Sequence, residues 1–139
     1  MLRRVEEIMT EHPVTVRSLT SLTEAARVMR DADIGDVLVV DDGRLRGIVT
    51  DRDIVVRALA EGRDPARTTV HSVCSPDVVT VAPDDTLAHA TDVMRERALR
   101  RLPVAENGRL RGIVTLGDVA IEREPASALA DIASAKGDE

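Results

Sequence analysis

The chain has 139 residues, 43% hydrophobic and 32% charged, with a formal net charge of -6, which is the composition of one globular domain or of two small units sharing a core. Phe, Tyr and Trp are absent, which removes the base stacking that holds single-stranded nucleic acid, and the acidic balance disfavours a phosphate-backbone footprint. A single cysteine excludes an intrachain disulfide framework. The start MLRRVEEIMT is charged where a signal peptide needs its apolar run, so a soluble cytoplasmic protein without a membrane span is expected.

In chain order, a short helical turn is expected over 4–9, followed by a short strand at Val14-Thr15-Val16. Leu22, Ala25, Ala26 and Met29 recur at i, i+3, i+4 and i+7, which predicts a helix with one buried face. Ser21-Leu-Thr-Glu24 has the pattern of its capping box. The run Val37 to Val40 reads as a buried strand, Asp42-Gly43 as a tight turn and Leu45 to Thr50 as the returning strand. Asp-Gly tolerates the positive φ that two-residue hairpin turns need. A helix then runs from Asp51 to about Glu61. Its apolar residues Ile54, Val55, Val56, Ala58, Leu59 and Ala60 cover more than one face, which predicts burial against the sheet on one side and a partner chain on the other. Gly62-Arg-Asp-Pro65 breaks the pattern.

The string GRLRGIVT at 43–50 then returns unchanged at 108–115, and the correspondence extends far beyond it. The same shift places Val5 and Ile8 on Val70 and Val73, and Val14-Thr15-Val16 on Val79-Thr80-Val81. It places the first helix on one starting near Thr86 with Leu87, Ala90, Thr91 and Met94. The Asp42-Gly43 turn falls on Asn107-Gly108, Asp53 on Asp118, and the second helix on 116–123. The unit is β-α-β-β-α, and it occurs twice. Each copy is too short to bury its own apolar face, so an α+β fold of two repeats packed as one pseudo-symmetric module is expected. The repeats are 1–64, with the leading turn and linker, and 65–124. An Ala-rich tail at 125–139 reads as a short helix that frays from Lys136.

Two T-x-x-D motifs, Thr50 with Asp53 and Thr115 with Asp118, each open a helix. Such a motif is an N-cap with an acidic N3 residue, which stabilises a helix without any ligand. The helix start that each motif caps also offers unpaired N–H groups and a positive dipole end. His71 and Cys74 are three apart on a turn but have no third or fourth ligand in an evident cluster. A packed thiol, and no metal, is therefore expected. His12 and His89 stand alone. No Ser/His/Asp grouping, glycine-rich phosphate loop or Cys-x-x-Cys is present, so catalysis is not expected.

The β-α-β-β-α order, the V-T-V strand, RRLPV at 100–104, GIVTDRD at 47–53 and GIVTLGD at 112–118 together resemble a tandem pair of cystathionine-β-synthase (CBS) domains, a Bateman module, over residues 1–123. The stretch TDRDIVVRALAEGRDP is similar to stand-alone bacterial CBS-pair proteins, which implies that a regulated protein target would be a separate polypeptide. The resemblance implies a regulatory module that binds AMP, ADP, ATP or S-adenosylmethionine in a cleft between the repeats and requires no cofactor. It also implies a disc-like homodimer. By the same resemblance, Asp53 and Asp118 accept ribose hydroxyls, and Thr50 and Thr115 hold phosphate with helix amides. The base lies against the strand of Val14 and Thr15.

Arg100 and Arg101 are implied to contact phosphate opposite Thr50 and Asp53, with Arg52 as a further neutralising candidate. Their counterparts Gly35-Asp36 would repel phosphate from Thr115 and Asp118. One favoured site, Thr50, Asp53, Arg100 and Arg101, follows. The competing expectation is a stress-associated interaction scaffold that keeps the fold and binds no nucleotide. The departures at Gly35-Asp36 and Leu116-Gly117 favour it.

Overall fold

A computed structural model describes residues 3–123 of the chain. These fall into two compact units, one formed by residues 14–78 and the other by 3–13 together with 79–123. The tail expected to be Ala-rich helix lies outside the described residues.

In the unit 14–78, β1 (Thr15–Val16) leads to α1 (Leu22–Ala32), β2 (Asp36–Asp41) and β3 (Arg44–Thr50). A short α2 (Asp51–Asp53) follows, running on into a π-helical stretch, Ile54–Leu59. β1 lies parallel to β2 with Thr15 opposite Leu38 and Val16 opposite Val39; β2 and β3 are antiparallel with Asp36 opposite Thr50. The hairpin turn has φ of 51° at Asp42 and 80° at Gly43, as the Asp-Gly pair predicts. Leu22, Ala25 and Met29 of α1 are buried, but Ala26, expected on the same face, is exposed. The expected capping box of α1 is half made. Ser21 Oγ accepts from the Glu24 N–H at 3.1 Å, while the Glu24 carboxylate pairs with Arg27 instead of returning to the cap.

The other unit contains α3 (Leu87–Arg97), β4 (Arg101–Glu106), β5 (Arg109–Thr115) and α4 (Leu116–Arg123). Its Asn107-Gly108 turn repeats the first hairpin, with φ of 54° and 79°. The second V-T-V segment does not form the expected strand. Only one parallel bridge is made there, between Val81 and Val104, in which Val81 N–H donates to the Pro103 carbonyl at 3.1 Å and Ala105 N–H to the Val81 carbonyl at 2.9 Å. Pro103 stands where the first repeat has Leu38. Proline has no N–H to donate, so the ladder stops after a single rung.

The 3-10 turn Val5–Glu7 and its counterpart Val70–Ser72 lead the two repeats in sequence, yet each packs with the elements of the other repeat. Val5 N–H donates to the Asp85 carbonyl at 2.8 Å, and Thr10 exchanges backbone hydrogen bonds with Ile113 at 2.8 and 3.0 Å. Val70 N–H donates to the Thr20 carbonyl at 2.8 Å, and Ser75 exchanges hydrogen bonds with Ile48 at 3.0 and 3.1 Å. Val5 and Val70 are fully buried, so each core is closed by a borrowed valine. The sequence limits 1–64 and 65–124 describe the duplication; the packing units are cut differently.

The helices that close the two repeats differ in winding. Ala60 N–H reaches back five residues to the Val55 carbonyl at 2.9 Å, the wide π turn, where the counterpart α4 is an ordinary α-helix. Ala58 is buried and Ile54 half-buried, whereas Val55, Val56 and Leu59 are exposed on the single chain.

Candidate functional site

Thr50 ends β3 in extended backbone and caps the helix that follows. Its Oγ1 accepts from Asp53 N–H at 3.0 Å, and Asp53 Oδ2 accepts from Thr50 N–H at 2.9 Å. Thr115 and Asp118 repeat the arrangement, at 3.1 and 2.9 Å. Both T-x-x-D motifs are therefore complete capping boxes, each satisfying two orphan backbone donors. The box uses one carboxylate oxygen for the backbone, and a carboxylate has acceptor capacity beyond that single bond. Capping and the binding of a hydroxyl are thus compatible at one Asp.

Hairpin register sets the neighbours of each motif. Asp36 stands directly opposite Thr50, and Asp51 N–H donates to the Gly35 carbonyl at 2.9 Å. In the other unit Arg101 stands opposite Thr115, and Leu116 N–H donates to the Arg100 carbonyl at 2.7 Å. Within its own unit each threonine thus has the acidic or the basic counterpart beside it. Thr50 and Asp53 belong to one unit, and Arg100 and Arg101 to the other. Val14 is exposed just before β1, and Thr15 is exposed on it. Arg52 is exposed, with its N–H on Asp51 Oδ1 at 2.8 Å.

Two features escaped the sequence reading. The first is Arg57, whose Nε lies 3.6 Å from Asp53 Oδ1; the side chain of Asp53 is only 14% exposed. The i, i+4 spacing of opposite charges was the available signal. The second is a hollow of about 590 Å³ lined by Arg17, Ser18, Leu19, Thr20, Asp41 and Asp42, at the opposite end of β2 from Thr50. There Ser18 donates to Asp41 from its N–H at 3.1 Å and from its hydroxyl. These hydrogen bonds hold the Asp41 carboxyl below its ordinary range. The second repeat has Pro83 and Glu106 at these positions, and Glu106 pairs with Arg111 at 2.6 Å.

Cys74 is half-buried, with Sγ 3.7 Å from the His71 carbonyl. Burial pushes its thiol up, and the nearby Asp53 charge adds to the effect. Among the described residues no group of three or more His, Cys, Asp or Glu could hold a metal ion.

The family model for the CBS domain matches residues 5–59 and 70–123. The chain belongs to the CBS domain family and carries two copies of the domain. It is 39% identical over 119 residues to CBS domain-containing protein YhcV of Bacillus subtilis, covering 86% of this chain and 84% of that protein. It is 38% identical to Hypoxic Response Protein I, solved with two coordinated zinc ions, covering 85% of this chain and 97% of that one at a TM-score of 0.77. The CBS domain pair of protein MJ0100, solved with methylthioadenosine and S-adenosyl-L-methionine, is 28% identical. The match covers 91% of this chain and all of that one, with a TM-score of 0.75.

Proposed function

We propose that this CBS pair binds an adenosine-containing ligand and converts its occupancy into a change of conformation or of oligomeric state. The observation that carries the reading is the duplicated T-x-x-D box, which presents a carboxylate with spare acceptor capacity at the start of a helix in each repeat. The adenosyl ligands of the MJ0100 pair support it by analogy. Asp53 takes the ribose hydroxyls, Thr50 with Arg100 and Arg101 takes phosphate, and Val14 and Thr15 flank the base. Thr115 and Asp118 form the second, weaker set. Two arginines favour AMP, ADP or ATP, whereas Asp36 opposite Thr50 favours the cationic sulfonium of S-adenosylmethionine.

The proposal extends to a homodimer made through exposed Val55, Val56 and Leu59, which an isolated chain leaves in water. It also includes a cytoplasmic setting and a regulatory rather than catalytic role. Among the described residues no helix is long and apolar enough to cross a membrane. A second reading, an interaction scaffold that binds no nucleotide, is favoured by one observation: both boxes are fully satisfied as caps.

Calorimetric titration of AMP, ADP, ATP and S-adenosylmethionine into the wild type, Asp53→Ala and Asp118→Ala separates the two. Binding lost in Asp53→Ala supports the assignment, and binding lost only in Asp118→Ala moves it to the second repeat. Absence of heat with all four ligands at millimolar concentration leaves the scaffold reading.

A further inference from the structure

Position 57 and its repeat counterpart, 122, do the same mechanical work with opposite charges. Arg57 Nη1 donates to the Val73 carbonyl at 3.3 Å, at the end of the turn Val70–Ser72. Glu122 holds Arg3 Nη1 at 3.1 Å, and Arg3 Nε lies 3.1 Å from Glu7 in the turn Val5–Glu7. In each unit the closing helix is thus fastened by this one position to the borrowed leading segment.

The ties differ in what else they touch. Arg57 Nε also faces Asp53 Oδ1, so the first tie runs from the T-x-x-D carboxylate through one guanidinium to the leading segment. Glu122 is itself an acid and cannot pair with Asp118 in that way. Only the first repeat has its tie wired to the carboxylate proposed to hold ribose. The Arg57 side chain is 54% exposed, and its guanidinium is engaged by both of these contacts. Anchoring Nε orients the planar fork toward Val73, and losing that anchor restores rotamer freedom to a long side chain.

We propose that Arg57 is a positioning residue that couples the state of Asp53 to the segment Val73–Ser75. This rests on the ligand reading of Asp53. A hydroxyl that donates to Oδ1 competes with the guanidinium for that oxygen and weakens its 3.6 Å ion pair, the hold on the Val73 carbonyl weakens with it, and the leading segment loosens from β3. Neutralising the carboxylate imitates occupancy.

The experiment is amide hydrogen exchange, read by NMR at Cys74 and Ser75, whose N–H groups are bonded to the Val70 and Ile48 carbonyls. Without ligand, Arg57→Gln and Asp53→Asn each speed exchange there by about threefold or more. The double variant is no faster than the quicker single one, and the Thr10 and Ile113 amides of the other unit are unchanged. Asn retains an oxygen to accept from Thr50 N–H, so the cap survives, and either single variant serves if the other misfolds. Additive effects in the double variant, or no change in either single, would overturn the tie.

With AMP, ADP, ATP or S-adenosylmethionine, whichever binds by calorimetry, exchange at Cys74 and Ser75 rises in the wild type but not in Arg57→Gln. Slowed exchange in the wild type overturns the direction proposed. If none of the four ligands binds, the adenosyl reading fails and with it the coupling of ligand to the segment, while the ligand-free variants still decide whether Arg57 links Asp53 to it.

Discussion

The carbonyl oxygen of Ser75 lies 2.6 Å from the point that a Cβ on Gly47 would occupy, so the segment leading the second repeat rests on β3 only because Gly47 has no side chain. Gly112 stands in the same relation to Thr10, whose carbonyl oxygen is 2.7 Å from the equivalent point. This gives a physical reason for part of the recurring octamer. Its first glycine, at 43 and 108, supplies the positive φ of the turn, and its second, at 47 and 112, admits a crossing backbone.

Gly47→Ala and Gly112→Ala are each expected to lower stability by about 1–3 kcal/mol, because backbone rather than a flexible side chain must move. Urea unfolding followed by far-UV circular dichroism measures this in a chain without Trp or Tyr. A shift below about 0.5 kcal/mol at either site, the range of an ordinary surface change, would show that the segments do not press on the strands as described.

Removing one cap hydroxyl, in Thr50→Ala or Thr115→Ala, is expected to cost about 0.5–2 kcal/mol, and serine at the same position much less. The two roles of Thr50 separate here. If Thr50→Ser keeps the stability and Thr50→Ala loses both stability and ligand affinity, the box serves both purposes. Unchanged affinity in a stably folded Thr50→Ala would confine Thr50 to capping.

The Asp41 carboxyl is held down chiefly by the Ser18 hydroxyl and then by the Ser18 N–H. A depressed native value means that this stabilisation is complete above the unfolded carboxylate range near pH 4 and fades as pH falls through the lower native value. The urea midpoint of the wild type should therefore fall more steeply below about pH 4 than that of Ser18→Ala. Parallel curves would rule out the contribution. Pro83 gives the second repeat no hydroxyl at this position.

Burial raises the Cys74 thiol, and Asp53 raises it further. At pH 8 the thiolate fraction is then smaller than in a free cysteine, and disulfide exchange with an aromatic disulfide reagent should be several-fold slower. Asp53→Asn removes one of the two causes and should speed the reaction. A rate equal to that of free cysteine would contradict the half-buried placement.

Much of this molecule is legible residue by residue. The apolar spacing of Leu22, Ala25 and Met29 gave α1, the Asp-Gly and Asn-Gly pairs gave both hairpins, and T-x-x-D gave both boxes. The misses also have local causes. Pro103 withholds the donor that would have extended the second V-T-V strand, and Glu24 takes Arg27 as its partner instead of its own cap. The π winding of Ile54–Leu59 was not legible, because its apolar pattern fits an α-helix as well. Of the candidate site, the sequence supplied Thr50 and Asp53 as a pair but not Arg57 as the third member. Spacing alone does not say that its other nitrogen meets the Val73 carbonyl.

By itself, then, the sequence determined that there are two copies of one β-α-β-β-α unit, where their turns fall and how their closing helices begin. These follow from short-range sterics and from hydrogen bonds spanning a few residues. Only the tertiary structure decided which repeat each leading segment completes. Val5 with Ile8 and Val70 with Val73 present the same apolar spacing, and Gly47 and Gly112 offer the same groove. Local chemistry fits either segment to either repeat, so the choice belongs to the path of the whole chain.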